Sequence, residues 1–331
     1  MSDPGTRAAD RGLSAVEKRL MKLYGDAKRE MEKKIRAYTA RFRAKDVLMR
    51  AAAEAGEITE KGYREWLERV VFRGKQWEAV VNHCTDVLSD ANRQALNIIR
   101  GKQIDVFAEN ATWQAFALER DLKASYGFGI YSRETVGKLL KDEPELLPRK
   151  VLNGVKDAAW NRQKIAGIIN QGIIQGDSID TIAASLGTQL AMTDDKAMVR
   201  YARTAMTSAQ NAGRMEMLHE AEEEGIHSKK KWLATLDNRT RDAHQELDGQ
   251  TAELDEPFHN EIGDIMFPGD PNADPANVYN CRCTLIYEIQ GHPSGGQRRA
   301  YKEWDDEAGH HRESYLVGSM TYAEWKKWKG E

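Results

Sequence analysis

The sequence predicts an α+β protein that is predominantly α-helical: long N-terminal helices followed by a small α+β module with a short antiparallel sheet. Three observations carry this. Apolar residues recur every three or four positions from Val16 to Phe42, and again between residues 60 and 124. That is the period of a helix with one buried face. No proline stands between Pro4 and Pro144, so nothing over that span forces a helix to end. Strand-type alternation sets in only at Lys231-Trp232-Leu233-Ala234-Thr235-Leu236 and returns at Cys283-Thr284-Leu285-Ile286-Tyr287-Glu288-Ile289.

The elements follow in order. Residues 1–13 have no apolar period and are expected as a disordered tail. Ser14 and Glu17 have the spacing of a capping box. The stripe Val16, Leu20, Leu23, Ala27, Met31, Ile35, Tyr38 and Phe42 follows it. A helical domain is expected over residues 14–126, with breaks near Gly56, Gly101 and Asn110, and a connection over 127–150 where glycine and proline gather. A helix from Trp160 to Gln175 stops at Gly176, and a short one from Ile179 ends at Gly187. Thr193-Asp194-Asp195, with acids in a first turn, starts another that closes at Gly225. Thr240 is expected to cap a short helix over 241–247, closed by Asp248-Gly249. A proline-rich, acidic, irregular stretch leads from there to the second strand. Residues 291–331 open on a Gly-rich linker and end in an aromatic-rich tail containing Tyr315, Leu316, Tyr322, Trp325 and Trp328.

Composition excludes several classes. No apolar run reaches the roughly 18 residues of a membrane span. The start lacks the apolar core of a secretory signal. Three cysteines cannot build a disulfide scaffold, and a reducing folding compartment fits them. The net charge of −3 hides an asymmetry. Residues 1–50 carry 14 Lys+Arg against 7 Asp+Glu, whereas residues 215–275 carry 5 against 16. A basic arm and an acidic stretch imply two surfaces with different partners.

Chemistry concentrates in one stretch: Trp232, Asp237, Arg239, Thr240, Arg241, His244 and Leu247-Asp248-Gly249, then Cys281-Arg282-Cys283 some thirty residues on. Two thiolates one residue apart and a histidine can hold a zinc ion. His244, Cys281 and Cys283 are therefore candidate ligands of a structural zinc, with a fourth from Asp237, His259, Asp270 or water. The competing expectation is a hydrogen-bonded knot in which Asp237 anchors a turn and the cysteines are small buried hydrophobes. There is no Gly-x-Ser-x-Gly, no phosphate-binding Walker loop, no His-Glu-x2-His and no dinucleotide glycine set. No catalytic residue is assigned, and the chain is expected not to be an enzyme. The alternative is a metal-dependent nuclease or toxin-type enzyme using the His244, Cys281 and Cys283 cluster.

At this motif the chain resembles the phage Mu F-like minor head proteins, also called phage head morphogenesis proteins. The resemblance rests on Trp232-x4-Asp237-x-Arg239-Thr240-Arg241-x2-His244-x2-Leu247-Asp248-Gly249, the proline-rich acidic loop and Cys281-Arg282-Cys283, in that order. Upstream, Gly172 to Leu186, Arg203-Thr204 and Asn211 agree with it. It covers about residues 151–290. Two departures stand out: Ala205 replaces an acidic residue that many relatives carry, and Arg241 and His244 stand where some relatives place cysteines. The resemblance implies a structural minor component of a tailed-phage or prophage head, located in the virion and assembled in the host cytoplasm. It implies partnership with the portal protein and with major capsid or scaffold protein, and a part in head assembly and in DNA packaging or delivery. The basic N-terminal helical arm is the expected contact with phage DNA or with an acidic face of the portal.

Overall fold

The computed structural model describes residues 3–289, 298–301, 304–305, 310–311, 314–317 and 324. The mainly helical α+β class holds. The chain forms two compact units, each assembled from separated stretches. One unit takes Met1–Glu17, Ile99–Arg149 and Arg200–Glu331; the other takes Lys18–Ile98 and Lys150–Val199. This differs from the expected division at 127–150. The reason lies in three long helices, α1 (Pro4–Thr39), α4 (Lys75–Leu122) and α7 (Ile179–Glu223), each of which contributes residues to both units.

In the second unit, α1 contributes a buried stripe of Leu20, Tyr24, Ala27, Met31, Ile35 and Tyr38. Tyr24, rather than Leu23, occupies the second turn of that stripe. The helices α2 (Arg43–Glu54), α3 (Glu60–Trp66) and α6 (Gly154–Gln175) complete the unit together with the matching parts of α4 and α7. Its apolar core includes Met31, Ile35, Trp66, Leu67, Leu88 and Ile169. The π-turn Leu67–Val71 follows α3 directly, and Tyr38 donates its hydroxyl to the carbonyl of Val71. Gly176 ends α6 in the left-handed conformation, and Ser178 then caps α7 by accepting from the Thr181 amide at 3.1 Å.

Helix α7 does not stop at Gly187 or restart at Thr193. A Cβ on Gly187 would lie 2.2 Å from Cγ of Glu32, so this glycine serves close packing against α1. Asp194 belongs to a buried network instead of a helix start. It accepts from Asn92 at 3.0 Å and Lys164 at 2.5 Å, and Tyr24 donates to Asn92. Gly101 and Asn110 likewise leave α4 unbroken. The Asn110 amide donates to Val106 O and to Gly5 O, and its carbonyl accepts from Arg214. Its side chain shares the Val106 carbonyl with the helix and spends its other bonds on Gly5 and Arg214, so the helix continues through it.

In the first unit, residues 4–13 are helical, not a disordered tail. Asp3 caps α1 by accepting from the Thr6 amide at 2.9 Å and hydroxyl at 2.8 Å, with Pro4 at the first helical position. The stretch 127–150 holds a helix of its own, α5 (Arg133–Asp142), capped by Ser132. Gly225 ends α7 as expected, with φ of 83°.

The small sheet has the order β2 (Thr251–Ala252), β1 (Ser228–Leu233), β5 (Thr284–Ile289), antiparallel throughout. Strand β1 begins three residues before the expected start. Its buried positions are Ser228, Lys230 and Trp232. A hairpin of β3 (Phe258–Asn260) and β4 (Gly263–Ile265) organises the proline-rich stretch. Helix α8 (Asp242–Glu246) is shorter than expected and Thr240 does not cap it; its hydroxyl bonds Thr235 O and Asp237 instead. A four-residue helix, α9 (Pro275–Val278), follows.

Beyond Ile289, β6 (Arg298–Tyr301) pairs with β7 (Ser314–Val317), which holds Tyr315 and Leu316. The expected linker at Gly291–Gly296 and the aromatics Tyr322, Trp325 and Trp328 lie outside the described residues. No described helix is long and apolar enough to cross a membrane.

One close approach tests the first unit. A Cβ on Gly213 of α7 would lie 2.5 Å from the Phe107 carbonyl oxygen on α4. Alanine normally improves a helix interior by about 1 kcal/mol over glycine. Gly213→Ala is expected instead to lower stability by about 1–3 kcal/mol, read as the urea midpoint followed by far-UV circular dichroism.

Candidate metal centre

The centre begins with a backbone problem. In the segment 280–285, Cys281, Cys283 and Leu285 are buried while Asn280 and Arg282 are exposed, and the segment enters β5 along an edge that faces a helix rather than another strand. Its peptide groups are met by polar side chains of α7. Thr204 accepts from the Asn280 amide at 3.2 Å, and Thr207 donates to Cys281 O at 2.8 Å. Asn211 accepts from the Leu285 amide at 2.8 Å and donates to Pro268 O at 2.9 Å and Cys283 O at 3.4 Å. Arg214 donates to Leu285 O at 2.9 Å. Positions 204, 207, 211 and 214 recur every three or four residues, so they form one polar stripe on the helix.

Arg214 is almost fully buried, and its guanidinium is also bonded to Asp3 at 2.6 Å, Thr6 at 3.1 Å and Asn110 at 3.1 Å. The Asp3 carboxyl sits below its ordinary range. Burial alone would raise it, but the Arg214 charge and the Thr6 bonds outweigh that.

Asp237 is fully buried and held from several sides. The Arg239 amide donates at 3.0 Å, the Thr240 hydroxyl at 3.2 Å, and both terminal nitrogens of Arg282 clasp the carboxylate. Arg282 stands between the two cysteines. Its side chain is held toward Asp237, and its carbonyl accepts from Thr235 at 2.6 Å. Cys281 and Cys283 face the other way, onto His244. They precede β5 in irregular backbone, so strand alternation does not dictate where they point.

His244 is buried on α8, edge-on to Trp232 with ring centroids 5.4 Å apart. Its Nε2 lies 3.0 Å from Asn277 O. A carbonyl only accepts, so the proton sits on Nε2 and the lone pair on Nδ1 is free to act as a ligand. Nδ1 is 3.7 Å from Cys281 Sγ and 3.6 Å from Cys283 Sγ, and the Cys283 amide donates to Cys281 Sγ at 3.4 Å. The three ligand atoms lie within 4.8 Å of one another.

The thiols are unequal. The hydrogen bond from Cys283 holds Cys281 below the usual thiol range, with help from Arg241 and Arg282, whereas burial pushes Cys283 well above it. A tetrahedral zinc with ordinary Zn–S and Zn–N bonds sets sulfur and nitrogen about 3.6 Å apart. The observed separations match that spacing, and the Nε2–H···O=C bond to Asn277 is the orienting contact that metal-bound imidazoles use. The residues present therefore fit a zinc ion.

The other acidic and histidine candidates are engaged elsewhere. Asp237 is committed to Arg282. Asp270 accepts from the Met266 and Asn272 amides. His259 is exposed and bonded to Asp264 at 2.6 Å. Gly249, with φ of 83°, donates its amide to Trp232 O at 2.9 Å and closes the turn after α8. Asn277, Thr207, Gln210, which donates to the Thr284 hydroxyl at 2.9 Å, and Arg214 belong to no motif that the sequence displays. The polar stripe on an otherwise apolar helix was the available signal.

Residues 163–286 match the model of the family described as phage Mu protein F like protein. The Mu F-like segment contains the whole centre: the α7 stripe, Asp237, His244, Cys281, Arg282 and Cys283. Asp3, Thr6 and Asn110, which complete the Arg214 bonds, lie outside it. Minor head protein GP7 of Bacillus phage SPP1 is 28% identical over 225 residues, 67% of this chain and 69% of that protein. NAD(+)–arginine ADP-ribosyltransferase EFV of Enterococcus faecalis is 38% identical over 133 residues, 39% of this chain and 26% of the enzyme. An uncharacterized Haemophilus influenzae protein is 32% identical over 123 residues, 24% of its length. No solved structure matches. The expectation that the chain is not an enzyme is corrected by the second relative, whose name is that of a transferase.

Two outcomes follow from this geometry. Asp237→Ala leaves Arg282 without its carboxylate and the Arg239 turn unanchored. It is expected to cost about 2–4 kcal/mol, with a smaller loss for Asp237→Asn, measured by denaturation followed through tryptophan fluorescence. Lys230, buried and donating to Leu254 O at 2.8 Å, has its pKa lowered by burial from 10.5 to about 8. Between those values the unfolded chain holds more protons than the folded one, so stability rises with pH across that interval. The expected gain is roughly 1–3 kcal/mol, and Lys230→Met should flatten it.

Proposed function

We propose that this chain is a structural minor component of a tailed-phage or prophage head, assembled in the host cytoplasm and carried in the virion. It binds the portal protein and the major capsid or scaffold protein, and assists head assembly and DNA packaging or delivery. The supporting observation is the Mu F-like segment at residues 163–286, together with likeness to a minor head protein over two thirds of both chains. Co-purification with the portal protein and recovery in purified heads are the expected results. Absence from heads, with the protein expressed and folded, removes this reading.

Phage DNA is the proposed partner of the basic helices. Lys18, Arg19, Lys22, Lys33 and Lys34 are all exposed on α1. Deleting residues 1–50 would remove buried core, so charge reversal is the cleaner test. Changing Lys18, Lys22, Lys33 and Lys34 to Glu should weaken DNA binding at low salt and flatten its salt dependence by about 0.9 in log–log slope for each phosphate no longer neutralised. Unchanged binding and unchanged head incorporation would defeat the DNA role.

The proposed cofactor is one structural zinc on His244, Cys281 and Cys283, which staples a small module with little apolar core of its own. Purified protein should carry close to one equivalent, and chelator should lower its melting temperature by several degrees. Zinc below about a tenth of an equivalent, with melting unchanged in chelator, would remove the ion.

A second reading is enzymatic and rests on the transferase relative, of which the chain spans about a quarter. Label transfer from NAD+ to arginine is the assay. Transfer above background supports this reading, and none removes it.

A further inference from the structure

The three metal-ligating side chains form one wall of a small cavity of about 100 Å³. The other walls include Thr235, Thr240, Asn280 and the arginines Arg239, Arg241 and Arg282. A zinc ion bound by two thiolates and a neutral imidazole carries no net charge and has satisfied three of its usual four positions. Asp237, Asp270 and His259 are engaged elsewhere, so no described carboxylate or imidazole is placed to take the fourth.

The cavity is also positively charged. Arg282 is neutralised by Asp237, but among the described residues Arg241 bonds to carbonyl oxygens, those of Asn277 and Tyr279. Carbonyls leave a guanidinium its full charge. A guanidinium beside an open metal position is a pairing that recognises an anionic oxygen, which can bond the metal and the fork of N–H donors together.

We propose that the fourth position of this centre takes a small oxyanion of the phosphate type from solution, held jointly by the metal and Arg241. The inference rests on the zinc reading above and goes beyond it: a purely structural ion is closed by four protein ligands, whereas this one is open to exchange.

Cobalt(II) substituted into the full chain reports both readings separately. A thiolate-to-cobalt charge-transfer band tests the metal site itself, and the d–d bands test the fourth ligand. Titration with inorganic phosphate should shift the d–d bands saturably while the charge-transfer band persists. Arg241→Gln should weaken phosphate binding roughly tenfold or more without loss of the charge-transfer band, and Arg241→Lys should recover part of it. A cobalt–thiolate band with d–d bands indifferent to phosphate overturns the open position and leaves the metal in place. Wild-type phosphate affinity in a folded Arg241→Gln variant overturns the role of Arg241 and with it the proposal. Failure to form any cobalt–thiolate band overturns the metal reading, and this inference falls with it.

Discussion

Burying irregular backbone is the constraint on which the module depends. A peptide group removed from water without a partner costs as much as a lost hydrogen bond. The run from Asn280 to Leu285 has no ladder on its helix side. Helix α7 answers with Thr204, Thr207, Asn211 and Arg214. Asn211 substitutes for an absent strand: its side-chain amide accepts from Leu285 N–H and donates to Cys283 O. Once the run is fixed in this way, the two cysteines are fixed with it.

The second determinant is Arg282. Placed between the cysteines and drawn to the buried Asp237, it turns Cys281 and Cys283 together toward His244. Asp237 is held by its own turn through Arg239 and Thr240, and His244 is oriented by Asn277 O. Each candidate ligand thus has a partner that aims it, which is the arrangement a preorganised centre requires.

Much of the helical half was legible because its buried faces repeat at the helical period and because Gly176 and Gly225 are ordinary helix terminators. The misreadings have a common source. Gly187 and Asp194 carry the local marks of a stop and a start, yet both answer to partners distant in sequence, Glu32 for one and Asn92 with Lys164 for the other. Lys230 hid the start of β1, since a lysine in a strand reads as exposed, whereas here Leu254 O takes its amine inside. His244, Cys281 and Cys283 could be singled out from residue type and spacing. Their orienting partners could not, because Asn277 and the α7 stripe are recognisable only from what they touch.

The Arg214–Asp3 bond joins residues 211 positions apart. A bond of such span is paid for in loop-closure entropy before it contributes anything, and it ties completion of the first unit to a stretch of 211 residues. During synthesis the first turn of α1 emerges before α7 and gains its guanidinium partner only when α7 has followed, and a further acceptor of that partner, Leu285 O, arrives later still. The Mu F-like segment therefore has one of its buried charges, Arg214, neutralised from outside itself. Grafted onto another chain, it would leave that buried guanidinium without the carboxylate that Asp3 supplies, so the upstream helix carries a charge partner of the segment and not only a neighbouring surface.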